Sequence, residues 1–355
     1  MRCVRTIPAT MRTVAILPAL LFLCAAVPLA SLLDATGFFS SCAARLCQAR
    51  DQVPVLGLWV LAAATTAVLN LDTTIVLLTP LYVRLALRTR TDPLALAVVP
   101  LLLASLASSF LPVSNLTTII AAERLGLGVA DVVSHTALPS LVACVVGWWC
   151  YRRRHPAQLP EADGTPADPH ALRVGGLVVA FVLVGFTLGP SLGVQAWMVA
   201  FAADVVLVAI TRRLPWRDVP VVTAAAVAAL AIVVAQLPTG ALTRLLEGTT
   251  TWQVLVSGIA GTATSNLVNN LPAALVASDA VDSATWGFWS WLLSINAAAV
   301  LLPTGAVANL LWWRIVRAEG LRVDLRTYLV HVVPVALPAA AAAMAVLLAE
   351  HALWG

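Results

Sequence analysis

The 355-residue chain contains no lysine, and Asp, Glu and Arg together make up only 11% of it. All 21 basic residues are therefore arginines, gathered in a few short stretches rather than spread as a basic surface, which argues against a nucleic-acid partner. The six cysteines (Cys3, Cys24, Cys42, Cys47, Cys144, Cys150) include no Cys-x-x-Cys pair and lie mostly in or beside apolar segments. A structural zinc site or a disulfide framework is thereby disfavoured, and no cofactor or metal is expected. The GxxxxGK[ST] phosphate loop is also missing, so any use of ATP would require a separate subunit. What the chain has instead is 61% hydrophobic residues and a mean hydropathy of +0.93, far outside the usage of soluble domains. It reads as an all-α, multi-pass protein of the cell (inner or plasma) membrane.

Apolar runs of spanning length recur at about 13–33, 94–121, 132–151, 172–190, 195–211, 219–237, 286–313 and 328–349. Residues 34–50, with Asp34, Arg45 and Arg50, read as an interfacial connector containing Phe38 and Phe39. Arg2, Arg5 and Arg12 followed by an apolar run allow either a retained first helix, the favoured reading, or a signal sequence, and an additional leading helix is expected to be missing. The stretch 152–172, with RRRHP and four prolines, is linker-like and divides the chain into repeats at 1–151 and 173–355. The tryptophans Trp148, Trp149, Trp312, Trp313 and Trp354 fall near predicted span ends, as interfacial belt residues do.

Two polar interruptions break this pattern. NLDTTIVLLTP from Asn70 and SNLVNNLPAALVA from Ser265 each place amides, hydroxyls or a carboxylate between two apolar limbs too short to span separately. Lipid offers such groups no partners, so each predicts a re-entrant hairpin, at about 52–90 and 249–277, whose tip lines a protein-enclosed cavity. Each hairpin precedes a long run broken by proline: LPVSNLTT within about 94–121, and LPTGAVAN within about 286–313. Proline unwinds the local turn and frees backbone groups to face a ligand. Similar interruptions in two halves point to a secondary transporter with its site near the bilayer midplane. Counting crossings from a first hairpin that enters from the cytoplasm puts Arg84, Arg88 and Arg90, then Arg152 to Arg154, Arg212, Arg213 and Arg217, and Arg314, Arg317, Arg322 and Arg326 all inside. The second hairpin then opens outward, so the halves form an inverted repeat. Setting TTAVLNLDTT against GTATSNLVNN aligns Asn70 with Asn266, and Asp72-Thr73-Thr74 with Val268-Asn269-Asn270.

NLDTTIVLLTPLYVRLA, SSFLPVSNLTTII and SNLVNNLPAALVA resemble signature segments of the arsenite/antimonite efflux permeases, in the ion-transporter superfamily that includes citrate and dicarboxylate carriers. The resemblance extends from about Asp34 to the end. It implies inverted repeats in which each hairpin tip and broken helix bind substrate and coupling ion. Carried across, the site residues would be Asn70, Asp72, Thr73 and Thr74; Ser114, Asn115 and Thr117; Ser265, Asn266, Asn269 and Asn270; and Thr304. The second break departs from the family pattern, reading INAAAVLLPTGAVANLLWW and retaining Asn296, Pro303, Thr304, Gly305 and Asn309 as its distinctive residues. A homodimer and a separate ATPase subunit stay open as partners.

Asp72 is an acid at membrane depth and the leading candidate for a coupling carboxylate, against a role as a structural cap. Asp204, in VAFAADVVLVAI, is a second candidate, against a simple hydrogen bond to a neighbouring helix. The expectation is proton-coupled efflux of a small oxyacid such as arsenite or antimonite, whose neutral hydroxylated form suits amides and hydroxyls. Sodium-coupled citrate or dicarboxylate carriage and sodium/proton exchange are the alternatives; an anionic ligand would meet Asp72 with no arginine in the motifs to pair it. An intramembrane aspartyl protease using Asp72 and Asp204 would leave the repeat unexplained.

Overall fold

A computed structural model describes residues 17–48, 53–68, 70–156, 158–160, 166–189, 192–234 and 240–354. The readings of Arg2, Arg5, Arg12 and Cys3, and of the first run's beginning, fall outside these residues. In the first half, α1 (Leu17–Ala35) and α2 (Phe38–Gln48) precede the pair α3 (Val55–Val68) and α4 (Leu71–Arg88). They are followed by α5 (Pro93–Leu106), α6 (Leu116–Leu125) and α7 (Val129–Arg152). In the second half, α8 (Pro169–Leu188), α9 (Ala196–Thr211), α10 (Val221–Val234) and α11 (Gly240–Leu246) precede the pair α12 (Thr251–Val268) and α13 (Asn270–Ala280). Then come α14 (Trp286–Ala297), α15 (Val307–Ala318) and α16 (Leu325–Trp354). A two-residue strand in the linker, β2 (Gln158–Leu159), pairs antiparallel with β1 (Val53–Pro54) at the base of the first hairpin.

Among the described residues three unbroken helices are long and apolar enough to cross a bilayer: Val129–Arg152, Pro169–Phe186 and Leu325–Trp354. The runs 94–121 and 286–313 are each divided as expected, α5 from α6 by a turn at Pro112–Ser114, and α14 from α15 by turns at Ala299–Leu301 and Pro303–Gly305. Within the connector expected at 34–50, the described residues 34–48 are mostly helical. The first helix continues through Asp34 to Ala35, the chain turns at Gly37 (φ +78°), and α2 packs against α4 and α8.

Both helix pairs fold back as hairpins. Tyr82 Oη donates to the Leu58 carbonyl at 2.5 Å, and these residues lie twelve positions to either side of Asn70, so α3 and α4 run antiparallel. In the second pair, Thr243 of α11 donates to the Ala280 carbonyl at 2.9 Å, bringing the end of α13 back to the helix that leads into α12.

The hairpin bases lie on opposite faces. Near the end of α4, Arg84 meets Glu319, just beyond α15, at 3.0 Å, and Asp34 at the end of α1 at 2.7 Å. On the same face His331 of α16 is 3.8 Å from Asp92, and its ring stacks 6.3 Å from that of His155. Arg314 reaches the Asp218 carbonyl there, and Ser31 bonds the Asp218 carboxylate at 2.8 Å. The four arginine clusters counted to one side in the sequence thus adjoin one face. At the other face Arg124 near the end of α6 pairs with Asp279 near the end of α13. There too His135 stacks on Trp289 at 4.6 Å, and His351 accompanies Trp286 at 5.3 Å. The two ion pairs are counterparts: each joins one repeat's hairpin to the other repeat's broken helix, with the signs exchanged.

Candidate functional site

The polar stretch from Asn70 to Thr74, expected at the tip of the first hairpin, is helical from Leu71 onward. Asn70 lies just ahead of α4, and its Oδ1 accepts from the Thr73 backbone N–H at 2.7 Å, an N-cap that lets the helix begin at Leu71. Asp72, Thr73 and Thr74 therefore occupy the first helical turn, where the aligned peptide dipoles favour negative charge. Thr74 Oγ1 lies 2.9 Å from Thr66 Oγ1 of α3, tying the limbs just below the tip.

In the second hairpin the break is Asn269 alone. It holds φ +78° between α12 and α13, accepts from the Leu271 N–H at 3.3 Å, and donates Nδ2–H to the Thr304 carbonyl at 3.0 Å. The structural counterpart of Asn70 is thus Asn269, and the sequence alignment of Asn70 with Asn266 is corrected by three positions. The matching cap positions, rather than matching polar letters, set the register. Ser265 and Asn266 lie in the last turn of α12, where Ser265 donates to the Thr262 carbonyl at 3.1 Å. Asn266 Nδ2 donates to the carbonyls of Thr262 and Ala298 at 2.8 and 2.9 Å, and its Oδ1 accepts from Leu302 N–H at 2.8 Å. Thr304 Oγ1 donates back to the Asn266 carbonyl at 2.7 Å. These groups brace the unwound segment, whose loose backbone would otherwise lack partners in a dry interior. Gly305 is required by the same crowding, since a Cβ there would run into the Ala299 carbonyl oxygen.

The first break is braced likewise. Ser114 Oγ donates to the Ala67 carbonyl in the last turn of α3 at 2.7 Å, joining tip to break. Asn115 caps α6 by accepting from Thr117 N–H at 3.1 Å, while its Nδ2 reaches Ser108 Oγ at 3.2 Å and Asn296 Oδ1 at 3.1 Å. Thr117 Oγ1 donates to the same Asn296 oxygen at 2.6 Å. Hydrogen bonds consequently join the end of α3 to the first break and that break to Asn296. A separate set joins the second break to Asn266 and Asn269, and Asn296 meets the second break through the chain itself, two residues on. The sequence reading noted Asn296 and Asn309 but assigned neither a role. Their signal was an isolated amide in an apolar run.

Most of the expected site residues are therefore occupied. Asp72 and Asn270 make no side-chain hydrogen bond or ion pair among the described residues, while Thr73 Oγ1 and Asn309 Oδ1 are buried without a partner there. One carboxylate, one carboxamide, one hydroxyl and one amide oxygen are thus uncommitted by the fold. No arginine lies in either tip; Arg84 is about three turns along α4 and is held by Asp34 and Glu319. Asp204 stands apart, on α9 packed along α1 and α8. It is buried, and its Oδ1 has no partner among the described residues.

Residues 4–299 match the family described as citrate transporter. The arsenical pump membrane protein of Escherichia coli strain K12 is 24% identical over 357 residues, covering 88% of this chain and 82% of that protein. Its namesake in Yersinia enterocolitica is 25% identical over 358 residues with the same coverage. Among solved structures, the Alcanivorax borkumensis YdaH transporter aligns with 98% of this chain and 88% of its own at 14% identity and a TM-score of 0.43.

Proposed function

The chain belongs to the citrate transporter family, and from that premise we propose that this multi-pass secondary transporter exports a small neutral oxyacid of the arsenite or antimonite kind in exchange for protons. The observation that carries the reading is the uncommitted Asp72 at a tip that contains no arginine. A tricarboxylate would bring its anions to a carboxylate with no cation to pair them, at a large electrostatic cost in a low-dielectric site. A neutral polyhydroxy acid needs only donors and acceptors, which Asn270, Thr73 and Asn309 can supply. Arsenical relatives in three enterobacterial species accord with such a cargo.

In the proposed cycle Asp72 carries the coupling proton. Its helix-terminal position favours the carboxylate when water reaches the tip, and exclusion of water favours the acid, so proton release and uptake follow access to the two faces. The arginine-rich face is taken as cytoplasmic.

The test is uptake into everted membrane vesicles without ATP under an imposed proton gradient. Arsenite accumulation that collapses with a protonophore is expected. Sodium-dependent citrate accumulation without arsenite movement would replace this reading with a citrate carrier, the cargo that the family's description names.

A further inference from the structure

The second break is poor in polar side chains. Superposing its Leu302-Pro303 on Leu111-Pro112 sets Gly305, Ala306 and Ala308 opposite Ser114, Asn115 and Thr117. Ser114, Asn115 and Thr117 therefore lack polar equivalents in the second break. Asn296, in the last turn of α14, fills that place from outside the motif. Its Oδ1 accepts from Asn115 Nδ2 at 3.1 Å and Thr117 Oγ1 at 2.6 Å, and its Nδ2 donates to Ser109 Oγ at 3.0 Å and Thr118 Oγ1 at 3.1 Å. A carboxamide offers two acceptor and two donor positions, and all four are taken by one ten-residue stretch of the opposite repeat. Asn296 and its four partners are all buried, at 2% exposure or less. An orphaned donor or acceptor there would carry its whole desolvation cost, so the tie defines one geometry rather than several.

We propose that Asn296 is a positioning residue for the transport site: without touching the cargo, it fixes the first break, and with it the capped start of α6, against the second repeat. This rests on the site proposed above, and it transfers Asn115 and Thr117 from the role of free ligands to that of a supported frame. Removing Asn296 leaves Asn115 Nδ2 and Thr117 Oγ1 to find other acceptors, which displaces the frame without removing Asp72 or Asn270.

The experiment is a double-mutant cycle of Asn296→Ala with Asn115→Ala, measuring KM and maximal rate in everted vesicles with arsenite as the probe, alongside melting temperature in detergent. Asn296→Ala is expected to raise KM about tenfold while keeping maximal rate per inserted protein within about threefold. The double variant is expected to be worse than Asn296→Ala alone by clearly less than the product of the two single penalties, since Asn115→Ala also removes the α6 cap and the Ser108 bond. Ser109→Ala, a milder change that deletes one bond to the Asn296 amide, is expected to move KM in the same direction by a smaller factor. Unchanged KM in Asn296→Ala, or penalties of the two substitutions that simply multiply, would overturn the proposal. Wild-type vesicles that move citrate but not arsenite would overturn the cargo reading alone, and the cycle is then read with citrate. If neither moves, the cycle is read on melting temperature, where additive losses would overturn the tie.

Discussion

Asn266 spends its amide on Thr262, Ala298 and Leu302, whereas Asn270, four residues on, makes no side-chain hydrogen bond among the described residues. The two letters look equivalent in the sequence, but their environments assign different work. Asn266→Ala orphans buried backbone groups of the second break and should cost about 1–3 kcal/mol, measured as a lowered melting temperature and poorer insertion yield. Asn270→Ala should leave melting unchanged and weaken arsenite affinity by about tenfold in equilibrium binding. Equal melting losses for both would remove the distinction. Gly305→Ala tests the crowding directly: with the Ala299 carbonyl in the path of the added Cβ, about 1–3 kcal/mol or more of stability should be lost, without any ligand group being altered.

The hairpins show how much of the elements was legible and where legibility ended. The limb, break and broken-helix pattern was readable because polar groups and prolines stand out against apolar sequence. The exact breaks were not, because Asn70 and Asn269 are caps, and a cap converts the following polar residues into the first turn of a helix. Asp72 to Thr74, expected at the hairpin tip, thereby form the first turn of a helix, and Asn269 rather than Asn266 is the counterpart of Asn70. Asn296 could not be assigned from sequence because its partners lie some 180 residues away, and no periodicity encodes that separation. A prediction belongs to this scale. Asn269→Ala loses the cap to Leu271 and must also hold φ +78° with ψ 148°, a sparsely populated conformation costing an ordinary residue roughly 1–3 kcal/mol. Asn269→Gly keeps the conformation and loses only the amide, so it should melt closer to wild type than Asn269→Ala does.

Across the whole molecule, two ion pairs of exchanged sign, Arg84 with Glu319 and Arg124 with Asp279, fasten each hairpin to the other repeat's broken helix. Glu319 lies beyond the spanning segment, and burial pushes its carboxyl up to about 7, with the nearby Asp34 charge adding to the rise and Arg84 opposing it. Because the folded value lies above the ordinary 4.5, its contribution to stability is fully present below about 4.5 and is lost as pH rises through about 7. Glu319→Gln should therefore melt like wild type at pH 5 and higher than wild type at pH 8, since Arg84 retains Asp34. A variant that melts lower at pH 8 would mean that the pair outweighs the burial cost. The most direct measurement of the central claim uses proteoliposomes containing wild type or Asp72→Asn, loaded and diluted to give either a proton gradient or arsenite exchange alone. The account predicts that wild type accumulates arsenite against its gradient when protons flow the other way, and that Asp72→Asn exchanges arsenite at a comparable rate but no longer accumulates it. Proton-driven accumulation by Asp72→Asn at the wild-type rate would contradict the claim.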